Sequence, residues 1–152
     1  MTVYPPVEEL IPHRMPMRLV DEIVGEDEGL VRCTHRIGED HLFMIPGKGV
    51  PVYAAFEMMA QAICAHDGLN RRRAGKAPTL GFLLGCRRYD ARREFIQPGE
   101  TVTLESRQLL EGETASFEAR VLDQDEGLIA AATVNVFQPE DLAAFLNGDR
   151  PR

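Results

Sequence analysis

The sequence predicts an α+β protein in which an antiparallel sheet wraps around one long central helix. Two observations carry this expectation. The segment from Val52 to about Asn70 is apolar over most of its length and too long for an ordinary strand. The second half divides into four strand-like segments, "TLGFLLGCRRYDA", "ETVTLESRQLLEG", "TASFEARVLDQDEG" and "LIAAATVNVFQ", separated by turn signals such as Pro98-Gly99 and Glu111-Gly112. A helix that is apolar nearly all round must be covered on most sides, and one curved sheet is the economical cover.

The elements follow in order. A short helix around Val7 to Ile11 ends at Pro12, because a proline disfavours helical geometry in the residue before it. "MRLVDEIVGEDEGLVRCTHRI" reads as a hairpin: an apolar stretch to Val24, a turn near Gly25 to Gly29, then Leu30 to Ile37. "MIPGKGVP" is a loop. Pro51 suits a first helical turn, and Gly68 or Gly75 is placed to close the helix. In the second half, alternation is clearest from Thr101 to Glu105, and Pro139 to Leu146 predicts a final short helix.

Composition narrows the function. The 152 residues, 44% hydrophobic and 27% charged, suit one soluble domain spanning 1–152. No apolar run is long enough for a membrane span, and "MTVYPPVEEL" lacks the basic start and apolar stretch of a signal peptide, so a cytoplasmic protein is expected. Cys33, Cys64 and Cys86 are scattered without a CxxC pair, which indicates free thiols rather than a disulfide framework or a zinc cluster. The net charge of −7 argues against a general nucleic-acid binder. Its distribution is uneven: residues 71–93 hold eight arginines and lysines against Asp90 alone, a net +7 that leaves −14 for the rest. This basic segment is either a solvated helix end followed by a strand edge or a docking surface for something acidic, such as a phosphorylated cofactor or an acidic carrier protein.

The helix carries the chemical signal. Glu57 and Gln61, four residues apart, share one side, while Val52, Phe56, Met59 and Ile63 follow the apolar side. A carboxylate buried there costs several kcal/mol unless it is paired, and otherwise tends to stay protonated, which suits proton transfer near neutral pH. The alternative is a Glu57 on an exposed edge or capping a loop, with Gln61 a structural hydrogen-bonder.

Two stretches resemble a known family. "LIPHRMPMRLVDEIV" is similar to the N-terminal segment of the 3-hydroxyacyl-acyl carrier protein dehydratases, in which Leu-Pro-His-Arg-x-Pro precedes an apolar strand ending in Val-Asp. "VPVYAAFEMMAQA" resembles their hot-dog helix, where a proline leads, six residues on, to Glu or Asp followed by x-Met-x-Gln; Pro51 and Glu57 keep that spacing. The resemblance covers roughly residues 8–66 and implies a hot-dog fold, usually a dimer whose sheets join edge to edge with active sites at the interface. It implies no metal and no cofactor. The implied reaction is dehydration: a histidine of one subunit removes the proton α to the thioester carbonyl, a helix carboxylate of the other assists departure of the 3-hydroxyl, and amides at the helix start polarise the carbonyl. Glu57 takes the carboxylate role, and Val52, Tyr53, Phe56 and Gln61 fall at substrate-binding positions.

The histidine loop departs from the pattern. The family histidine sits in Gly-His-Phe-Pro, eight residues before the helix proline, whereas in "EDHLFMIPGKGVPVY" His41 lies ten before Pro51. Either the loop carries two extra residues and His41 is the base, or "DHLF" matches the family's Asn-x-Phe-Phe and the catalytic place holds no histidine. Val52 also replaces the glycine that usually follows the helix proline. Of the other histidines, His13 is expected to be structural, His35 to face solvent or a neighbour, and His66 to act as a cation near the helix end.

Three functions follow. One is dehydration of 3-hydroxyacyl thioesters, carried by acyl carrier protein or CoA, to enoyl thioesters, with His41 as base, Glu57 as acid and segment 71–93 meeting an acidic acyl carrier protein, in a homodimer or higher oligomer. The second is a catalytically impaired partner in a hetero-oligomer with an active dehydratase subunit. The third is an acyl thioesterase using the helix carboxylate on water or on the carbonyl.

Overall fold

In a computed structural model, residues 2–79, 81–139 and 141–148 are described. Leu80 of the first predicted strand segment, Glu140 of the predicted terminal helix, and positions 1 and 149–152 of the expected domain lie outside them. The strands are β1 (Glu22–Asp27), β2 (Leu30–Arg36), β3 (Val50–Pro51), β4 (Phe82–Ala91), β5 (Phe95–Ile96), β6 (Thr101–Leu110), β7 (Thr114–Leu122) and β8 (Leu128–Phe137). The helices are α1 (Ala55–Arg73) and α2 (Leu142–Leu146). Six strands form one antiparallel sheet in the order β1-β2-β6-β7-β8-β4, and β3 pairs with β5. No helix of the described residues is long and apolar enough to cross a membrane.

The predicted α+β arrangement is the observed one: α1 packs in the bend of the sheet, against β2, β6, β7 and β8. Small residues on the sheet make room for it. Ala115, Ala119, Ala130 and Ala132 are buried on β7 and β8, and Ala119 pairs with Ala132 across the two strands. From the helix, Met58, Met59, Ala62, Ala65 and Leu69 are buried, and Phe117, Leu104 and Ile129 meet them from the sheet within one core. Each fully buried large side chain contributes about 1.5–3 kcal/mol, which sets this helix firmly in place.

Several boundaries differ from the sequence reading for local reasons. The first turn is tighter than residues 25–29: β1 continues to Asp27, and Glu28 and Gly29 at φ 41° and 81° form a two-residue hairpin turn. Gly25 falls instead at a register shift within β1. The N-terminal helix is one 3-10 turn, Val7–Glu9, and Val52–Ala54 is a second 3-10 turn leading into α1. Gly68 does not close α1. A Cβ there would lie 2.5 Å from the Leu10 carbonyl oxygen, so this glycine lets the N-terminal segment lie flat on the helix. Gly75, at φ 69°, follows the last turn.

The two sheet edges are unlike. β1 is short and charged, whereas β4 is ten residues long, pairs among the described residues only with β8, and exposes Leu83 and Leu84 at 52% and 58%.

Candidate active site

The N-terminal segment is tied to α1 through Gln61, and this tie places Glu57. Gln61 is wholly buried. Its Oε1 accepts from the Leu19 N–H at 2.6 Å, and its Nε2 donates to the Met17 carbonyl at 2.8 Å and to Glu57 Oε1 at 2.9 Å. Both N–H groups and the oxygen of the amide are thus engaged inside the protein, and Gln61, absent from the cleft lining, aims Glu57 and does not take the substrate-binding place expected for it.

Glu57 lines a cleft of about 260 Å³ together with His13, Ile63, Cys64, Leu83, Val136 and neighbouring residues. It is half-buried, its side chain 34% exposed in the single chain. His13 enters the same cleft from the N-terminal segment, with Nε2 3.9 Å from Glu57 Oε1. The loop that carries His13 is knitted by Arg14, whose guanidinium donates to the carbonyls of Glu8, Ile11 and His13. Cys64 forms a neutral wall, because burial pushes its thiol up to about 11. His13, for which a structural role was expected, is the histidine that the fold sets beside the helix carboxylate.

His41 lies elsewhere in the protomer. Its Nε2 is 2.9 Å from His35 Nε2, its Nδ1 accepts from the Phe43 N–H at 3.1 Å, and it is absent from the lining of the Glu57 cleft. His35 continues the chain, with Nδ1 3.1 Å from Asp21 Oδ1, and Asp21 Oδ2 takes the Arg36 N–H at 2.7 Å. Burial first, and then the adjacent His35, hold the His41 imidazole below its usual range. Burial works to raise the Asp21 carboxyl, but the bonds from His35 and Arg36 outweigh it and hold that group below the ordinary carboxylate value.

Of the two places expected for it, His35 faces neighbours, His41 and Asp21, and not solvent. It is 5% exposed on the core face of β2, in step with the buried Val31 and Cys33. Their two-residue alternation was the available signal. His66 is also not a terminal cation: it sits two turns before the end of α1, 3% exposed, with Nδ1 3.0 Å from Ser106 Oγ, and burial lowers its pKa.

The predicted substrate positions at the helix start cluster beside β4. Tyr89 on β4 donates its hydroxyl to the Val52 carbonyl, and Phe56 packs edge-on against the Tyr89 ring. Tyr53 points outward at 70% exposure, and neither the 3-10 turn nor α1 has a side-chain cap at its N-terminus. None of the three lines the Glu57 cleft.

The basic segment is less basic than its letters. Arg72 pairs with Glu9, Arg73 with Glu26 at 2.6 Å, Arg88 with Asp90 at 2.5 Å and Arg93 with Glu100 at 2.8 Å, while Arg71 donates to the Ala77 carbonyl. Among the described residues, Lys76, Arg87 and Arg92 are the cations of this segment whose side chains have neither an ion pair nor a hydrogen bond.

A long helix packed against an antiparallel sheet, carrying Glu57 and Asp67 into a cleft, defines a hot-dog protein. Within that class, residues 5–147 match the ApeP-like family, described as ApeP dehydratase, and the chain belongs to it. Among solved structures, the dehydratase heterocomplex ApeI:P from Xenorhabdus doucetiae is similar over 97% of this chain and 100% of its own, at 25% identity and a TM-score of 0.86. The E. coli PaaI protein of the phenylacetic acid degradation operon matches at 17% identity and a TM-score of 0.57, covering 76% of this chain and 81% of its own. A hypothetical thioesterase with coenzyme A from Streptococcus pneumoniae TIGR4 matches at 14% identity and a TM-score of 0.60, over 78% and 84%. These last two share the fold. No curated protein matches the chain.

Proposed function

We propose that this chain dehydrates 3-hydroxyacyl thioesters to trans-2-enoyl thioesters in the cytoplasm, with Glu57 protonating the departing hydroxyl. The observation that carries the reading is the cleft in which Gln61 aims Glu57 among apolar walls. Such a carboxyl is placed to give a proton to a group bound in the cleft. In this reading His41 takes the α proton across a subunit interface at Nδ1, after releasing the Phe43 N–H, and the uncapped helix start receives the thioester carbonyl. The unpaired β4 edge supports assembly with a second hot-dog subunit, because an exposed apolar edge of that length is a template for strand pairing. Lys76, Arg87 and Arg92 are the charges left to meet an acidic acyl carrier protein. Reversing all three should raise KM for a carrier-linked substrate and leave the CoA-linked one unchanged; equal effects on both would remove the carrier from the proposal. The direct test of the reaction is formation of an enoyl product from a 3-hydroxyacyl thioester. Glu57→Gln is expected to lower the rate by about 10²–10⁴-fold, and a variant as active as the parent would refute the assignment.

A second reading is favoured by the engagement of both His41 ring nitrogens: the chain serves as partner to an active dehydratase subunit, as the heterocomplex of its relative illustrates. Measuring turnover alone and after mixing with a second hot-dog dehydratase separates the two. Turnover by the isolated chain excludes the partner-only role.

A further inference from the structure

His13 and Glu57 come from one protomer and open into one cleft, and nothing in the proposed reaction yet uses the histidine. Their facing atoms, His13 Nε2 and Glu57 Oε1, are 3.9 Å apart. That is too long for a direct hydrogen bond, yet shorter than two such bonds end to end, each about 2.8 Å. A single oxygen atom therefore fits at bonding distance from both. Both side chains are partly open to the cleft, at 28% and 34% exposure, and Ile63, Leu83 and Val136 line it as apolar walls.

The other ring nitrogen fixes the orientation. His13 Nδ1 is buried and has no hydrogen-bond partner. A buried N–H without an acceptor is rarer and harder to accommodate than an unused lone pair, so the neutral ring carries its hydrogen on Nε2, toward Glu57. The carboxyl is aimed from the opposite side by the Gln61 amide, and the histidine is held by the Arg14 bonds to its loop. The two groups thus present one donor and one carboxyl to a common point.

We propose that His13 and Glu57 of the same protomer form a two-point grip on the 3-hydroxyl of the substrate, with His13 donating from Nε2 to its oxygen. The inference rests on the dehydratase reading. In the elimination the α C–H bond breaks and its proton goes to the base, while the electron pair forms the Cα–Cβ double bond. The C3–O bond breaks, and the oxygen departs as water, carrying its own proton and the one given by Glu57. The His13 hydrogen bond strengthens as negative charge gathers on that oxygen, which makes His13 a substrate-contacting donor as well as a determinant of specificity for hydroxylated acyl chains.

The test uses the full chain with chemistry arrested by Glu57→Gln, and reads binding of a 3-hydroxyacyl-pantetheine thioester against the same thioester lacking the hydroxyl. The hydroxylated compound is expected to bind about tenfold tighter, as a single well-placed hydrogen bond to a buried group allows. Adding His13→Leu should abolish this preference while leaving the binding of the deoxy compound unchanged. His13→Gln, which keeps a side-chain donor, should restore part of it and guards against a folding defect in the leucine variant. Equal binding of both compounds before His13 is changed, or an undiminished preference in His13→Leu, would overturn the proposal. Because the readout is binding, it is separate from the reaction: absence of enoyl product from the unaltered chain, with the hydroxyl preference intact, would remove the dehydratase reading and leave the grip standing.

Discussion

His41 and His35 face each other through their Nε2 atoms at 2.9 Å, and the surrounding bonds fix the direction of this contact. The Phe43 N–H points at His41 Nδ1, so His41 bears its hydrogen on Nε2 and donates to His35, which in turn donates from Nδ1 to Asp21. Both rings are neutral in this arrangement. A proton added to His41 must go to Nδ1, where it meets the Phe43 N–H and breaks the loop's bond.

This arrangement sets a pH dependence. Burial lowers the folded-state pKa of His41, so the associated stability is complete above the unfolded value of about 6.5 and is lost as pH falls from there through the folded value. His66, lowered by burial as well, adds to the same window. Asp21, also lowered, loses its contribution only in more acid solution, below its ordinary value of 3.8. Denaturant melts should therefore show stability declining below about pH 6.5, less steeply in His41→Gln. An unchanged slope in that variant would show that the pair does not carry the effect.

Gln61 is expected to be among the most sensitive positions. In Gln61→Leu the Leu19 N–H and the Met17 carbonyl lose their partners in the interior, at about 1–3 kcal/mol each. Glu57 also loses its orienting donor. Chemical denaturation should report a loss of about 2–6 kcal/mol, and turnover should fall further than the folded fraction explains. A variant with parental stability would mean that the N-terminal segment is held by other contacts.

The β4 edge makes a prediction about assembly. Leu84 is 58% exposed on the edge strand, so Leu84→Asp places a charge where a second subunit's strand is expected without disturbing the core. Light scattering should find the parent chain in a larger assembly than the variant. If both have the mass of one chain at micromolar concentration, β4 is not a self-association edge.

Much of this architecture was legible because it rests on long-range patterning: nineteen helical residues cannot hide their apolar character, and Glu57 stands out against it. The two-residue strands β3 and β5 were not legible, since so short a pairing leaves no periodicity to read. The contact of His35 with His41 depends on how a strand end and the following loop fold back, which residue spacing does not encode. The motif around His13 was visible, but only the tertiary docking of its loop through Gln61 and Arg14 brings the ring to Glu57. Ion pairing had the same effect on residues 71–93, where carboxylates as distant in sequence as Glu9 and Glu26 neutralise arginines that read as a patch.

Gly68 tests this docking, because two effects of opposite sign meet there. Inside a helix, Gly→Ala gains about 1 kcal/mol from propensity. Here the new Cβ would lie 2.5 Å from the Leu10 carbonyl oxygen and 3.1 Å from Leu10 Cβ, and backbone cannot swing aside as a flexible side chain does. Overpacking of this kind costs about 1–3 kcal/mol, and relief requires lifting the segment that bears Leu10, Pro12 and His13. The clash should win, so Gly68→Ala is expected to be destabilised in chemical denaturation and to weaken the His13-dependent preference for hydroxylated thioesters. A stabilised variant with that preference intact would show that the N-terminal segment does not rest on α1 as closely as Leu10 and Gly68 indicate.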